Sequence, residues 1–564
     1  MRKQCQGALT PPDSPAVIMT GRIMATSREN KNSWFQTHPK LTAIFVTLLG
    51  LLARLWTASG IFLNPDEALH FRLANQASLA LAYKASLTSA HPPLLVLLLY
   101  YWRVLGTSEI WLRLPSVLAG AVFCWMFYKW LTKAADPLVG FIGLLIVALL
   151  PPIILIGAEV RQYSLLLAFL ASALYFLDEA FAKDSPVRMV AFSLCLYLAM
   201  LFHYSAFWFA AALGIYALFR IFTERSPVNL AAAWAIGQLG GLALAIFLYK
   251  THLAKLGAGD SRTALQGWMS EYYLRRSYFD PAHDNPLMFL VSHSFGVFQY
   301  LFGQLAVGDA MGLLFVVGVV LLLRGKALSE GQTSTRRLGL FLLLPFAVAA
   351  VASLAHVYPY GGARHIAFLI IPGVAGVSVA IAHSAAGKWG RGLAIAALVI
   401  VTCIAFGKPR RPTMDRADQC RTHMADAIKF ARNIDPADLI VADYQTDLIL
   451  GHYLCQQRPI SFEPAPANFE QFSCDGHRVV STDYKTAWTF LANNFPREWQ
   501  RVVQAYSLKP GDTVWFVQAG WEADLPEDLR THYAEFRDLG FESFGNNIKM
   551  FRMTVGQPMP AVTP

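Results

Sequence analysis

Two adjacent carboxylates, Asp66 and Glu67, stand in the stretch NPDEALHF (64–71), just past an apolar run long enough to cross a bilayer. Locally they suit a helix start. Asn64 is a good N-cap, Pro65 fits the first helical position, and acids in a first turn complement the helix dipole. Their place at the membrane edge, in the loop 59–112, gives them a second use as catalytic groups. Asp66 and His70 are four residues apart, so one helical face would carry both. His91 lies in the same loop, where Pro92 and Pro93 break the chain before an apolar stretch. A lone histidine is commonly a polar filler; sharing a loop with Asp66 makes His91 a candidate ligand.

Arg161 and Tyr163 sit in GAEVRQYSLLLAF (157–169), at the turn of a hairpin between two apolar runs. A guanidinium near the hydrocarbon edge costs a few kcal/mol unless it snorkels or pairs. Its planar donor fork suits phosphate, and Tyr163 adds an aromatic face or a hydroxyl. Tyr360, Arg364 and His365 stand in YPYGGARHIAFLIIPG (358–373), where Gly361 and Gly362 permit a tight turn before another apolar run. An acidic pair, outward arginines and an outward histidine thus meet at one interface. That set fits a lipid-linked sugar phosphate entering from the bilayer. Arginines would neutralise the leaving phosphate, and a carboxylate would take the proton of an acceptor hydroxyl. Phosphate leaves well, so no separate general acid is needed.

The elements that must hold these groups are apolar helices. The chain has 564 residues, of which 55% are hydrophobic and 15% charged. A soluble domain carries about 25% charge. Apolar runs of the length a bilayer requires, about 20 residues, fall near 40–58, 113–132, 138–157, 163–181, 189–203, 205–222, 230–250, 309–323, 337–357, 364–383 and 390–407. This predicts about eleven transmembrane helices. Lysines and arginines collect in alternate loops, at Lys129, Lys133, Lys183, Arg188, Arg220, Arg225, Arg324, Lys326, Arg336, Arg337, Lys388 and Arg391. The positive-inside rule makes that side cytoplasmic, together with residues 1–39, which read as a disordered tail. Residues 287–305 and 94–106 are expected to lie in the outer interface. The net charge of +10 is spread over these loops, with no nucleic-acid motif.

Beyond about residue 408 the polar residues return. DLIVAD (438–443) and DTVWFV (512–517) read as buried strands, and RTHMADAIKFARN (421–433) as an amphipathic helix. A small periplasmic α/β domain over 408–564 is expected, after a membrane domain over 40–407. Among Cys420, Cys455 and Cys474, one disulfide fits an oxidising compartment, with its pairing open.

In order, NPDEALHF, HPPL (91–94), RLPSVLAG (113–120), RQYSLL (161–166) and YGGARH (360–365) resemble the GT-C membrane glycosyltransferases. More narrowly they resemble the protein O-mannosyltransferase and lipid A aminoarabinose transferase group, glycosyltransferase family 39, including RgtA/B/C/D-like proteins. The resemblance covers about 40–407. It implies an all-α polytopic GT-C domain in a bacterial inner membrane, with a periplasmic active site. It also implies inverting transfer from a polyprenyl-phosphate sugar to a lipid, glycan or protein hydroxyl. The family's essential first-loop acid falls on Asp66, with Glu67 beside it. A lysine that contacts donor phosphate is replaced by His91, which a neutral imidazole would fill less securely. The family's second-loop arginine and tyrosine fall on Arg161 and Tyr163, and Arg364 matches the basic residue opening a late span. Some relatives bind a divalent metal; Ala90 replaces the carboxylate beside HPPL, so no metal or other cofactor is carried over. The alternative reading is a carrier or flippase for a lipid-linked sugar, without bond chemistry. It predicts polar pairs within spans, broken helices and internal repeats, whereas the polar groups here gather at one face.

Overall fold

The computed structural model describes residues 38–256, 274, 277–326, 334–384, 419–466, 468–483, 487–521 and 523–557. Most of the expected tail (1–37) and the expected span 390–407 lie outside them. Among the described residues, eight helices are long and apolar enough to cross a membrane: Pro39–Gly60, Glu109–Ala134, Tyr163–Ala182, Ala206–Glu224, Val228–Leu253, Leu305–Leu323, Thr335–Leu354 and Arg364–Ser384. A ninth candidate is the pair Pro137–Leu149 and Pro151–Gly157, bent by 65°. The expected span at 189–203 is the shorter apolar helix Pro186–Phe202. The segment expected at the interface is helix Pro286–Phe302, and the other is Leu94–Trp102. The chain is a multi-span membrane protein.

The 65° bend corrects the single straight span expected over 138–157, and its cause is chemical. Pro151 and Pro152 have no N–H, so the carbonyls of Val147 and Ala148, four residues earlier, lack their helical donors. Arg54 supplies them: its Nη2 donates to Val147 O at 2.8 Å and its Nη1 to Ala148 O at 3.2 Å and Gly50 O at 2.9 Å. The side chain is buried. It fits because Gly120 and Gly157 leave room; a Cβ there would come within 2.7 and 2.6 Å of Arg54 Nε. The two terminal nitrogens of a guanidinium inside an apolar bundle are thus paired with carbonyls, two of them orphaned by the prolines, while its Nε stays unpaired.

Beyond 418 a six-stranded mixed sheet forms, in the order β2-β3-β1-β4-β6-β5. The strands are β1 (Leu439–Ala442), β2 (Phe469–Cys474), β3 (His477–Thr482), β4 (Thr513–Ala519), β5 (Phe541–Ser543) and β6 (Ile548–Thr554). The fully buried LIVA strand β1 pairs in parallel with β3 and β4, as a two-face-covered central strand should. The remaining pairings are antiparallel. Helix Arg421–Ala431 and strands β1 and β4 match the expected elements, and the disulfide joins Cys455 to Cys474.

This domain grips the first loop. Arg72 makes two hydrogen bonds to the buried Asp447 carboxylate, at 2.9 and 2.7 Å, and a third to its carbonyl at 3.1 Å. Tyr453 Oη accepts the Leu63 N–H at 2.8 Å and donates to Glu109 at 3.1 Å. Asn75 Nδ2 donates to Gln457 O at 3.1 Å.

Candidate functional site

The site is built on helix Pro65–Ala74. Asn64 caps it, Pro65 opens it, and Asn64 and Glu67 form a reciprocal capping box. The two carboxylates then diverge, because successive helical residues point about 100° apart. Glu67 turns inward and is fully buried. Its oxygens accept from Arg113 Nε (2.8 Å), Arg113 Nη2 (2.9 Å), Val160 N (2.8 Å), Asn64 N (3.0 Å) and Asn64 Nδ2 (2.9 Å). Arg113 also donates to the carbonyls of Ala58, Ile61 and Phe62. With its lone pairs committed, Glu67 anchors the loop, and this geometry does not support the catalytic role expected of it.

Asp66 turns the other way, toward two arginines from distant segments. Its Oδ2 lies 3.3 Å from Arg161 Nη1 and 2.5 Å from Arg364 Nη2. The carboxylate keeps 17% exposure. Burial pushes its pKa up, but Arg161 and then Arg364 outweigh burial and hold it well below the usual carboxylate range. His70 Nδ1 donates to the Asp66 carbonyl at 2.7 Å. Burial first, and Arg161 next, push its imidazole down to about 4, so it is neutral near pH 7.

Each arginine is held locally. Arg161 follows the Pro151–Gly157 segment, and Ser116 Oγ donates to its carbonyl at 2.8 Å. Its guanidinium stands 5.5 Å from the Tyr163 ring centroid and its Nη2 3.5 Å from the Tyr163 hydroxyl. Arg364 follows a turn that needs Gly361, whose φ is +129° and whose Cβ would meet the His293 ring at 2.8 Å. Tyr360 is buried; its hydroxyl is 2.7 Å from Ser294 Oγ and its N–H donates to Ser277 O at 2.7 Å. Expected as a substrate contact, Tyr360 instead shapes this turn. The His365 carbonyl accepts from Tyr358 Oη at 2.8 Å.

His91 joins a row of rings, 5.7 Å from His70 and 5.4 Å from His203. Burial, then Arg161 and the neighbouring histidines, hold it well below the usual imidazole range. It therefore offers a neutral polar group, not a second cation. His203, absent from the expected site, lies 5.0 Å from Tyr163. Gln162 is fully buried with both amide atoms unpaired. His203 stands in no motif, a single polar residue between apolar runs, whereas Gln162 lies within RQYSLL (161–166) but is not singled out there. Among the described residues, no group of three or more His, Cys, Asp or Glu is arranged to hold a metal ion.

Residues 90–250 match the family described as dolichyl-phosphate-mannose-protein mannosyltransferase. No curated protein matches by sequence. Among solved structures, the chain is similar to ArnT from Cupriavidus metallidurans bound to undecaprenyl phosphate. That match has 13% identity and a TM-score of 0.51, and covers 93% of this chain and 100% of that one. It also matches the archaeal oligosaccharyltransferase AglB from Archaeoglobus fulgidus, in complex with an inhibitory peptide and a dolichol-phosphate. There the identity is 11% and the TM-score 0.49, over 94% of this chain and 75% of that one. Residues 90–250 thus match the protein mannosyltransferase family model, and the chain as a whole has an ArnT-like fold.

Proposed function

We propose that the protein transfers a sugar, with inversion, from a polyprenyl-phosphate donor to an acceptor hydroxyl on the periplasmic face of a bacterial inner membrane. The observation that carries this reading is the Asp66 carboxylate between Arg161 and Arg364 at one end of the bundle. In this reading the donor phosphate takes up the two guanidiniums, with Tyr163, His91 and His365 around it. The phosphate competes with Asp66 for its counter-charges. As the arginines turn to phosphate, the carboxylate loses the interactions that make it a poor base, and its proton affinity rises. Asp66 then accepts the proton of the acceptor hydroxyl. The acceptor oxygen bonds to the sugar's anomeric carbon, the bond from that carbon to the phosphate oxygen breaks, and polyprenyl phosphate departs with the electron pair. One displacement inverts the anomeric centre. Glu67 takes no part in the proton transfer; through Arg113 and Val160 it fixes where Asp66 and the Arg161 loop stand.

The test is Asp66→Asn in purified protein supplied with donor and acceptor. Release of polyprenyl phosphate should be abolished while the protein still inserts and folds; thermal stability falls with the loss of the Arg161 and Arg364 ion pairs and is measured alongside. Turnover at the wild-type rate would overturn the assignment. No release with any acceptor, while the intact lipid-linked sugar is moved across a bilayer, would instead favour the carrier reading.

A further inference from the structure

His203 is 3% exposed, where the Pro186–Phe202 helix gives way to Ala206–Glu224. Its Nδ1 accepts the Ser205 backbone N–H at 3.1 Å and lies 2.7 Å from Ser205 Oγ. A ring nitrogen that accepts a backbone N–H carries no proton. The neutral tautomer is therefore fixed with its proton on Nε2. Nε2 has no partner. A buried N–H donor left unpaired costs about 1–3 kcal/mol, and histidine adds nothing here that phenylalanine's packing would not supply. The ring also has specific neighbours. It lies between Tyr163 and His91, 5.0 and 5.4 Å away by centroid, and within electrostatic reach of Arg161 and Arg364. Arg161 Nε is a second buried donor without a partner. Two unpaired donors, one of them on the Arg161 guanidinium itself, are suited to an anionic oxygen, and a positive imidazole is not required.

From this geometry we infer that His203 is a donor-binding residue whose Nε2–H donates a hydrogen bond to the phosphate of the polyprenyl-phosphate substrate held by Arg161. The inference rests on the proposed function. It adds a neutral recognition element from the 203–205 corner, a segment outside every motif of the sequence. Ser205 is its positioning partner, because it fixes which nitrogen carries the proton.

The experiment is equilibrium binding of undecaprenyl phosphate, with undecaprenol as the uncharged control, to the full-length protein in nanodiscs. Wild type should prefer the phosphate lipid. His203→Phe keeps the ring and removes the donor; phosphate binding should weaken about ten- to a hundredfold while undecaprenol binding is unchanged. His203→Gln places an amide N–H near Nε2 and should bind close to wild type. Thermal stability is measured alongside, and His203→Met replaces the Phe variant if that one is not retained. If the apolar variants bind the phosphate lipid like wild type while Arg161→Ala does not, the His203 assignment is overturned and the proposed function stands. Equal losses in the Gln and apolar variants, at unchanged stability, also overturn it. If wild type does not distinguish the two lipids, the proposed function itself falls and this inference with it.

Discussion

The helix that carries Asp66 is held from the far side by the C-terminal domain, and Asp447→Asn tests whether that grip is part of catalysis. Arg72 lies six residues after Asp66 on the same ten-residue helix. Its guanidinium meets the Asp447 carboxylate bidentately, with side-chain exposures of 14% and 0%. Removing one charge from such a pair leaves the other buried and uncompensated, at a cost of about 3–5 kcal/mol. Replacing both partners by leucine removes the problem together with the attraction, so the double variant should recover most of the stability. The coupling between the two sites is the quantity to measure. Turnover adds a second readout. If loss of the clasp lets the helix move by about 1 Å, transfer should fall about a hundredfold, although residue 447 belongs to a different domain. The assay is acceptor-dependent release of polyprenyl phosphate beside thermal unfolding in detergent. An Asp447→Asn protein with wild-type stability and turnover would refute the reasoning. Lost stability at full turnover would make the domain a passive anchor. A changed acceptor preference at full turnover would assign it to acceptor choice instead. Deleting the domain cannot separate these outcomes, since deletion removes Asp447, Tyr453 and Gln457 together.

Three further outcomes are expected. Gly157→Ala would put a Cβ 2.6 Å from Arg54 Nε. It should destabilise by about 1–3 kcal/mol through overpacking, whereas Gly60→Ala, with nothing within 4 Å, should not; equal melting temperatures would refute the role given to Arg54. His452 is buried edge-on against Phe71; burial, then Arg113, hold its pKa down to about 3 against an ordinary 6.5. The unfolded chain binds the proton that the folded one refuses, so stability should drop as pH falls below 6.5, by about 2 kcal/mol per such histidine between pH 6.5 and 5. His70 acts in the same sense down to about 4. Asp443, raised by burial to about 6 from 3.8, acts oppositely, its contribution falling as pH rises through that window. His452→Phe should flatten the melting-temperature profile between pH 7 and 5, and an unchanged profile would sink the assignment. Replacing Cys455 and Cys474 by alanine opens a cross-link of sequence separation 19. Chain entropy assigns it about 3 kcal/mol, readable as a lower melting temperature in the double variant under oxidising conditions.

Much of the fold was legible because membrane helices announce themselves by length and apolarity, properties carried within one segment. Asp66, Arg161 and Arg364 were legible for a related reason: each is a charge where an apolar run ends, and a charge there calls for a partner. What stayed hidden depended on two segments at once. Arg54 sits inside LLGLLARLW and reads as a costly charge; its partners are carbonyls more than 90 positions away, freed by a Pro-Pro pair. The resemblance placed the essential acid on Asp66, but the residue types alone did not separate it from Glu67, because only the three-dimensional positions of Arg113 and Arg161 decide which carboxylate is fully paired. Tyr360 stood in the right motif, yet its hydroxyl went to Ser294, which no spacing connects to it. His203 had no pattern at all, since an isolated histidine between apolar runs becomes informative only when one nitrogen is seen to be paired and the other not.

The two ends of the bundle differ in how completely their charged clusters are paired. At the ends of helices Glu109–Ala134, Tyr163–Ala182 and Ala206–Glu224 remote from Asp66, Glu179 pairs with Lys133, Lys183 and Arg188. Asp178 pairs with Arg220 and accepts from Trp130 Nε1, and Glu224 pairs with Arg220 and Arg337. Those carboxylates meet guanidiniums, ammoniums and an indole supplied by the protein itself, and the network closes. At the other end the chemistry is similar but the ledger does not close: Arg161 Nε, the Gln162 amide and His203 Nε2 remain buried and unpaired. Burial without partners is unfavourable for each, and their concentration around the Asp66 ion pair is hard to account for as fold stabilisation. A polar, anionic molecule that enters between Asp66 and its arginines would satisfy these groups and release the carboxylate in one event. On that view the ion pair is the resting arrangement of a base that becomes competent only when the donor headgroup has arrived, which protects the site from transferring protons without a sugar to transfer.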